Sequence, residues 1–224
     1  MKKNWNGISR LLPSLLFCLT FSGCQSVNNK DVLLDVNHRQ VNRLAPENFK
    51  VEFHTSKGVF VVAATRQWAP LGVDRFYNLV SNGYYDDLRF FRCIEGWCVQ
   101  FGIHNDPALN QVWGGAKLKD DPLVTSNTRG LMVFALSGPN SRSNQLSIHL
   151  SPRAVKHDKD AGFSPFAEVI AGMEVVEALY NGYGEAEPHG TGPKQHLIQR
   201  DGADYLKNYP LLDRIVETKI VIGE

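Results

Sequence analysis

Residues Leu88 to Gly102, LRFFRCIEGWCVQFG, decide how the rest of the chain is read. Two apolar runs flank Glu95-Gly96, so the stretch predicts a β-hairpin. Arg92 interrupts the first arm and Gln100 the second. A charge or an amide on the buried side of a strand is costly unless it has a partner or a ligand. Either the two groups share a pocket, or Arg92 is an exposed strand residue and Gln100 a satisfied core amide. The hairpin alone leaves both readings open.

Upstream of the hairpin, Ala69-Pro70-Leu71 to Asn82 predicts a helix. Pro70 sits in its first turn, and Val73, Phe76, Tyr77 and Val80 follow helical spacing. Asn82-Gly83 ends it. Before that, Phe49, Val51, Phe53 and Thr55 alternate, Ser56-Lys57-Gly58 turns the chain, and Val59 to Ala64 returns, which predicts a second hairpin. Residues 25 to about 46 are rich in Asn, Asp and Gln, with Val32 to Val36 as a lone apolar patch. They predict a polar tether.

Downstream, residues 103 to 128 predict a polar loop of functional length. Its Asp120-Asp121 pair suits a solvated turn better than a cation site. Leu131 to Ser137 predicts an apolar strand, followed by the turn sequence Gly138-Pro139-Asn140. Gly172 to Tyr180 predicts a second helix with Met173, Val176 and Leu179-Tyr180 as its buried stripe. A Gly/Pro/His-rich excursion runs from Gly182 to about Pro210 and holds a short helix at Ala203 to Asn208. Arg214 to Ile222 predicts the last strand.

The chain has 224 residues, 24 Lys and Arg against 23 Asp and Glu, and 43% hydrophobic residues. That suits one globular domain plus an extension. No basic excess points to nucleic acid, and no repeat or low-complexity tract is visible. No C-x-x-C pair or H-E-x-x-H run suggests a metal site, and no cofactor is expected. A monomer is expected.

Lys2, Lys3 and Arg10 precede an apolar run, Leu11 to Phe21. The run is too short to span a bilayer and predicts the core of a secretory signal. It ends in Phe21-Ser22-Gly23-Cys24, which resembles a bacterial lipobox. That resemblance implies cleavage before Cys24, a lipid on Cys24 and a membrane anchor. Gln25 after the Cys resembles the pattern for outer-membrane sorting in a Gram-negative envelope, facing the periplasm. The domain plan is therefore a signal at 1–23, a tether at 24–47 and a folded domain at 48–224. Cys93 and Cys98 then remain in an oxidising compartment. The hairpin turn between them leaves a disulfide open.

The hairpin resembles the active-site strands of cyclophilins, the cyclosporin-binding peptidyl-prolyl isomerases, whose pattern is F-[HF]-R-V-I-x-G-F-M-[IV]-Q-G-G. Here Phe90 to Gly102 carry it, with Arg92 and Gln100 matching. The string from Ala69 to Asp86 resembles the first cyclophilin helix and its turn. Gly138-Pro139-Asn140 through Gln145 to Ile148 resembles A-G-P-N-T-[NR]-x-S-Q-F-F-I. Gly162-Phe163-Ser164-Pro165-Phe166-Ala167-Glu168-Val169 resembles the G-F-x-P-F-G-x-V strand of bacterial members, and GMEVVEALY the second helix. The motifs keep their order over roughly residues 48 to 224.

The resemblance implies a mainly β fold, a closed eight-stranded antiparallel barrel capped by two helices. It also implies catalysis of X-Pro rotation in Pro-containing segments of exported proteins. The barrier to that rotation is about 18–20 kcal/mol. A catalyst needs a cationic donor for the prolyl nitrogen as it leaves resonance, a slot for the ring, and donors for the flanking carbonyls. By resemblance Arg92 is the donor; an Arg fork stays charged at any working pH. Gln100 positions Arg92 or a substrate carbonyl. Ala135 and the backbone of Leu136 hold the peptide before the Pro, and Gln145 lines the adjoining subsite.

The Pro slot departs from the pattern. Trp97 and Cys98 stand where the family has Phe and Met. Leu146 and Ser147 replace the two aromatic residues of Q-F-F-I. Phe163 takes the His position. Residues 151 to 161 align poorly, which leaves the family's Leu and binding-site Trp unplaced. Losing apolar volume weakens such a slot. A catalytically weak module that grips Pro-containing segments is therefore the competing reading.

Overall fold

The computed structural model describes Met1 and residues 29–151 and 162–221. The signal sequence, Cys24 and most of the unaligned stretch lie outside these residues. Eight strands form one antiparallel sheet: β1 (Asn48–Thr55), β2 (Gly58–Thr65), β3 (Arg92–Ile94), β4 (Cys98–Phe101), β5 (Leu131–Phe134), β6 (Leu146–His149), β7 (Ala167–Ala171) and β8 (Ile215–Val221). Their order is β3-β4-β6-β5-β7-β2-β1-β8.

The sheet curls so that its edge strands, β3 and β8, approach each other. Closure at this seam is a bridge and not a full ladder. Phe90 N–H donates to Asp213 O at 3.0 Å, and Ile215 N–H to Leu88 O at 2.8 Å, around an Arg89/Arg214 pair. Period-two alternation fills the interior. Phe49, Val51 and Phe53 of β1 and Phe60, Val62 and Ala64 of β2 are all buried. Phe53 and Phe60 stack with centroids 4.7 Å apart.

The first predicted helix is α2 (Pro70–Ser81), with Pro70 in its opening turn and Gly83 at φ 71° just past its end. Its Phe76 packs against Phe49, Phe53, Tyr85 and Phe166. The second helix is shorter than expected, Met173–Glu177. Of its predicted stripe, Val176 and Leu179 are buried and Met173 is partly buried against the core.

Three segments differ from the sequence expectations. The supposed tether is part of the fold from Asn29 onward. A short helix, α1 (Asn29–Leu33), and a 3-10 turn (Arg39–Val41) bury Val32, Leu33, Val41 and Ala45 in the main core. Trp113 Nε1 donates to Leu33 O at 2.8 Å, and Asn78 of α2 bonds both the N–H and the C=O of Arg43 at 3.1 and 2.7 Å. The isolated Val32 to Val36 patch is the apolar face that drives this docking.

The stretch 103–128 is not all loop, because Pro107–Gly115 forms helix α3. Asp106 caps it, accepting Ala108 N–H at 2.9 Å, and Pro107 sits at its first turn, a pair that favours initiation. In the late excursion, helices run Gln195–Asp201 and Ala203–Leu206, separated by Gly202 at φ 56°. Ile198, Leu206 and Leu212 join Phe91 and Ile103 in a second small core, with Tyr183, Tyr205 and Tyr209 packed on it. The excursion is thus a built subdomain beside the hairpin.

Candidate active site

Strand register decides which hairpin side chains face one another. Arg92 pairs with Gln100, Cys93 with Val99, and Ile94 with Cys98. Gln100 in turn pairs with Ser147, and Cys98 with His149, while Val133 pairs with Ser147 from the other side. Alternate residues share a face. Arg92, Cys98, Gln100, Val133, Ser147 and His149 therefore lie on the outer face of one patch of sheet. Cys93, Val99, Leu146 and Ile148 point into the core.

That register settles the disulfide. Cys93 and Cys98 lie on opposite faces, and both thiols are free. Burial pushes the Cys93 thiol up to about 12. It also pushes up the Cys98 thiol, with Arg92 and Ser147 pulling it only part of the way back.

The outer patch floors a cleft of about 1040 Å³. All nine residues expected at the site line it: Arg92, Trp97, Cys98, Gln100, Ala135, Leu136, Gln145, Ser147 and Phe163. Gln100 is buried and joins the two sides of the cleft. It accepts from Arg92 Nη1 at 3.1 Å and donates from Nε2 to Gln145 Oε1 at 2.9 Å. Arg92 Nη1 also lies 3.5 Å from Cys98 Sγ. Neither bland reading of the hairpin holds: Arg92 is only 17% exposed, and Gln100 bonds other cleft residues.

Backbone features hold these groups in place. Gly96 takes the hairpin turn at φ 63°, a conformation that costs glycine little. Gly102, at φ 106°, lets β4 pass close to β6; a Cβ there would lie 2.5 Å from Asn144 O. Asn144 donates to Tyr84 Oη at 2.6 Å and to Gly102 O at 2.9 Å, which fixes the strand just before Gln145. The rim turn is tied twice to Asp120. Asn140 Oδ1 accepts Asp120 N–H at 2.9 Å, and Asn140 N–H donates to Asp120 Oδ2 at 2.9 Å.

The acidic pair is not a solvated turn. The Asp121 side chain is 1% exposed and pairs at 3.0 Å with Arg142, which is 0% exposed. Its two oxygens also accept Leu71 and Gly72 N–H at 3.0 and 2.8 Å. Asp121 thus caps α2, whose own N-cap, Ala69, makes no side-chain bond.

Nine further residues line the cleft without being expected from the sequence, and three of them bear on its chemistry. Val133 and His149 follow from simple alternation with Ser147. The third is Glu185. Its Oε2 accepts from Arg92 Nε at 2.7 Å and from Nη2 at 2.5 Å. Its pairing with Arg92 has no local signal, since 93 residues separate the two in the chain. Trp97 also differs from its expected role. Its ring lies over the Arg92 guanidinium, 4.5 Å from centroid to carbon, and it is 41% exposed. It covers one face of the cation, and so is not the buried end wall of a slot. Leu146 belongs to the core and contributes nothing to the cleft.

A cleft with a fixed, half-buried guanidinium beside an amide and an apolar pocket can bind a peptide and polarise one of its amides. Burial raises the nearby Cys98 thiol and keeps it protonated. Among the described residues there is no cluster of three or more His, Cys, Asp or Glu able to hold a metal ion.

Comparison with known proteins agrees. The profile of the family described as cyclophilin type peptidyl-prolyl cis-trans isomerase/CLD matches residues 50–199. The chain belongs to this family, and its activity class is peptidyl-prolyl cis-trans isomerisation. It is 32% identical over 135 residues to peptidyl-prolyl cis-trans isomerase-like 1 of Aspergillus niger, covering 58% of this chain and 80% of that protein. It is 32% identical over 115 residues to a putative peptidyl-prolyl cis-trans isomerase of Staphylococcus aureus, covering 50% of this chain and 58% of that one. A Cryptosporidium parvum cyclophilin-type isomerase has the same fold, with a TM-score of 0.56 at 19% identity over 79% of this chain and 99% of its own. That protein has also been crystallised in the presence of the dipeptide Ala-Pro, and this second structure matches with a TM-score of 0.54 at 20% identity over 78% of this chain and 99% of its own.

Proposed function

We propose that this isomerase acts on Pro-containing segments of exported proteins, as a monomer held at an envelope membrane by a lipid on Cys24. The observation that carries the catalytic reading is Arg92 bonded to Gln100 at 3.1 Å on the floor of a peptide-sized cleft. Arg92 donates to the prolyl nitrogen as the bond twists and the lone pair leaves resonance. The ring sits among Cys98, Ser147, Phe163 and His149. Ala135, the Leu136 backbone and Gln145 hold the residues that precede the Pro. Binding the twisted state more tightly than either planar state lowers the barrier. A protease-coupled assay on a Pro-peptide tests it: turnover supports the reading, and tight binding without turnover favours a Pro-binding module.

The anchor is supported by the charged start, the short apolar run and Gly23-Cys24. Among the described residues the first buried one is Val32, eight residue steps after Cys24, and eight steps reach at most about 29 Å. The domain then works against the membrane surface, facing the periplasm in a Gram-negative cell, without a long leash. Cys24→Ala should abolish metabolic lipid labelling and release the protein into the soluble fraction. Unchanged membrane association would refute the anchor.

The slot carries a further expectation. Ser147 faces the cleft between Gln100 and Val133, where the family pattern has a ring. Ser147→Phe should raise kcat/KM for Pro-peptides by roughly threefold to tenfold, from about 1 kcal/mol of added apolar contact. Lost activity in a folded variant would mean that Phe163 already fills that space.

A further inference from the structure

The Nε/Nη2 edge of an Arg is a two-pronged donor that matches a carboxylate or phosphate side-on. In this chain that edge of Arg92 is already taken. Glu185 Oε2 accepts from both nitrogens, and its Oε1 accepts Ala186 N–H at 3.0 Å. The opposite edge faces Gln100 and Cys98, and Trp97 covers one face.

Glu185 is no stray surface side chain. It is 28% exposed and lines the cleft. Its loop is fastened by Gly192 N–H to Glu185 O at 2.8 Å and by Thr191 N–H to Tyr183 O at 3.0 Å. Tyr183 in turn packs on Tyr180 and Tyr209 at centroid distances of 5.1 and 5.3 Å. Burial pushes the Glu185 carboxyl up, but the hydrogen bond and charge of Arg92, with Ala186 N–H, outweigh it and hold it below the usual range.

A bare, partly buried guanidinium in an open cleft would be captured by acidic side chains and by free anions. Capture would consume the donor needed for the twisted amide and raise affinity without raising turnover. An internal carboxylate on the same edge removes that competition. Arg92 on β3 and Ala135 and Leu136 just after β5 stand at opposite sides of the β3-β4-β6-β5 patch, so on the isomerase reading this negative charge lies away from the chain that precedes the Pro.

We propose that Glu185 is the specificity-determining residue of this cleft: it occupies the anion-gripping edge of Arg92, excludes acidic groups there, and favours substrates with a basic residue after the Pro. This rests on the isomerase reading of the cleft.

The test uses paired peptides that differ only in the residue after Pro, Lys or Glu, followed by exchange NMR on the wild type, Glu185→Gln and Glu185→Ala. The wild type should favour the Lys peptide by about fivefold to tenfold, the scale of one close charge pair in a partly solvated site. Both variants should bring the ratio to within twofold of unity or reverse it, chiefly through KM for the Glu peptide. An unchanged ratio in folded variants overturns the proposal. So does an equal loss on both peptides, which is the mark of a purely structural role.

A second arm needs no turnover. Inorganic phosphate is titrated while the Arg92 Nε–H signal is followed, with Arg92→Lys identifying that signal. Millimolar phosphate should shift it in Glu185→Ala and leave the wild type unmoved. No shift in either protein overturns the proposal. If the wild type isomerises neither peptide, the isomerase reading fails, and the phosphate arm alone decides whether Glu185 guards Arg92.

Discussion

Arg92→Ala should lower kcat/KM for X-Pro isomerisation by about a hundredfold to a thousandfold, the usual cost of removing one preorganised donor from a transition state. Peptide affinity should fall far less, because the donation to nitrogen develops only as the amide twists. Arg92→Lys should recover little of this. An ammonium cannot reach Gln100 and Glu185 together with the fixed geometry of a fork. The stability cost is modest but real. Arg92 is tied to Glu185, Gln100 and the Trp97 ring, and its removal leaves a partly exposed carboxylate that water can solvate. About 1–2 kcal/mol is expected, or a few degrees in Tm. Paired kinetics and melting curves on the three proteins check both parts.

Asp121→Ala should cause the larger loss of stability, about 3–5 kcal/mol and on the order of ten degrees in Tm. The substitution leaves the buried Arg142 with only the more distant Asp120 carboxylate, at 3.7 Å, as counter-charge, and it uncaps two amides at the start of α2. Asp121→Asn keeps oxygen and nitrogen in place but loses the charge and one acceptor, so it should fall between. Arg142 also donates to Lys119 O and stands one residue from Ser141 and Ser143 on the cleft rim. Activity near the melting transition should therefore drop before the helical signal does. A melting temperature for Asp121→Ala within two degrees of wild type would show that Arg142 is not held by this pair.

How much of this was legible in the sequence depends on the range of each signal. The hairpin from Leu88 to Gly102 and the β1–β2 pair were legible because alternation is local and its register forces faces. The cyclophilin resemblance puts Gln145 and Ser147 at the cleft, and one alternating step from Ser147 adds His149. α2 announced itself through Pro70 and a four-position apolar stripe. α3 did not, because its nine residues sit between polar neighbours; the Asp106-Pro107 pair was its only strong mark. The Val32 patch looked too small to hold a segment. It holds because its partners, Trp113 and Asn78, come from far along the chain. The cation partners of Asp121 and Glu185 are illegible for the same reason. A carboxylate reads as solvated until the distant cation that buries it is known. Position in the family pattern alone puts Trp97 in the slot, whereas the flat Arg92 cation beside it is the better partner for an indole face.

The most direct test of the central claim is cis/trans exchange spectroscopy of a Pro-peptide at substoichiometric protein, with wild type and Arg92→Ala compared under identical conditions. The account predicts strong cis/trans exchange cross-peaks with the wild type. With Arg92→Ala those cross-peaks should fall to the uncatalysed level while the binding-induced shifts of the peptide persist. Equal exchange in the two proteins would contradict the claim that Arg92 drives the rotation. Shifts without exchange in the wild type would show a cleft that grips Pro-containing chains and does not turn them.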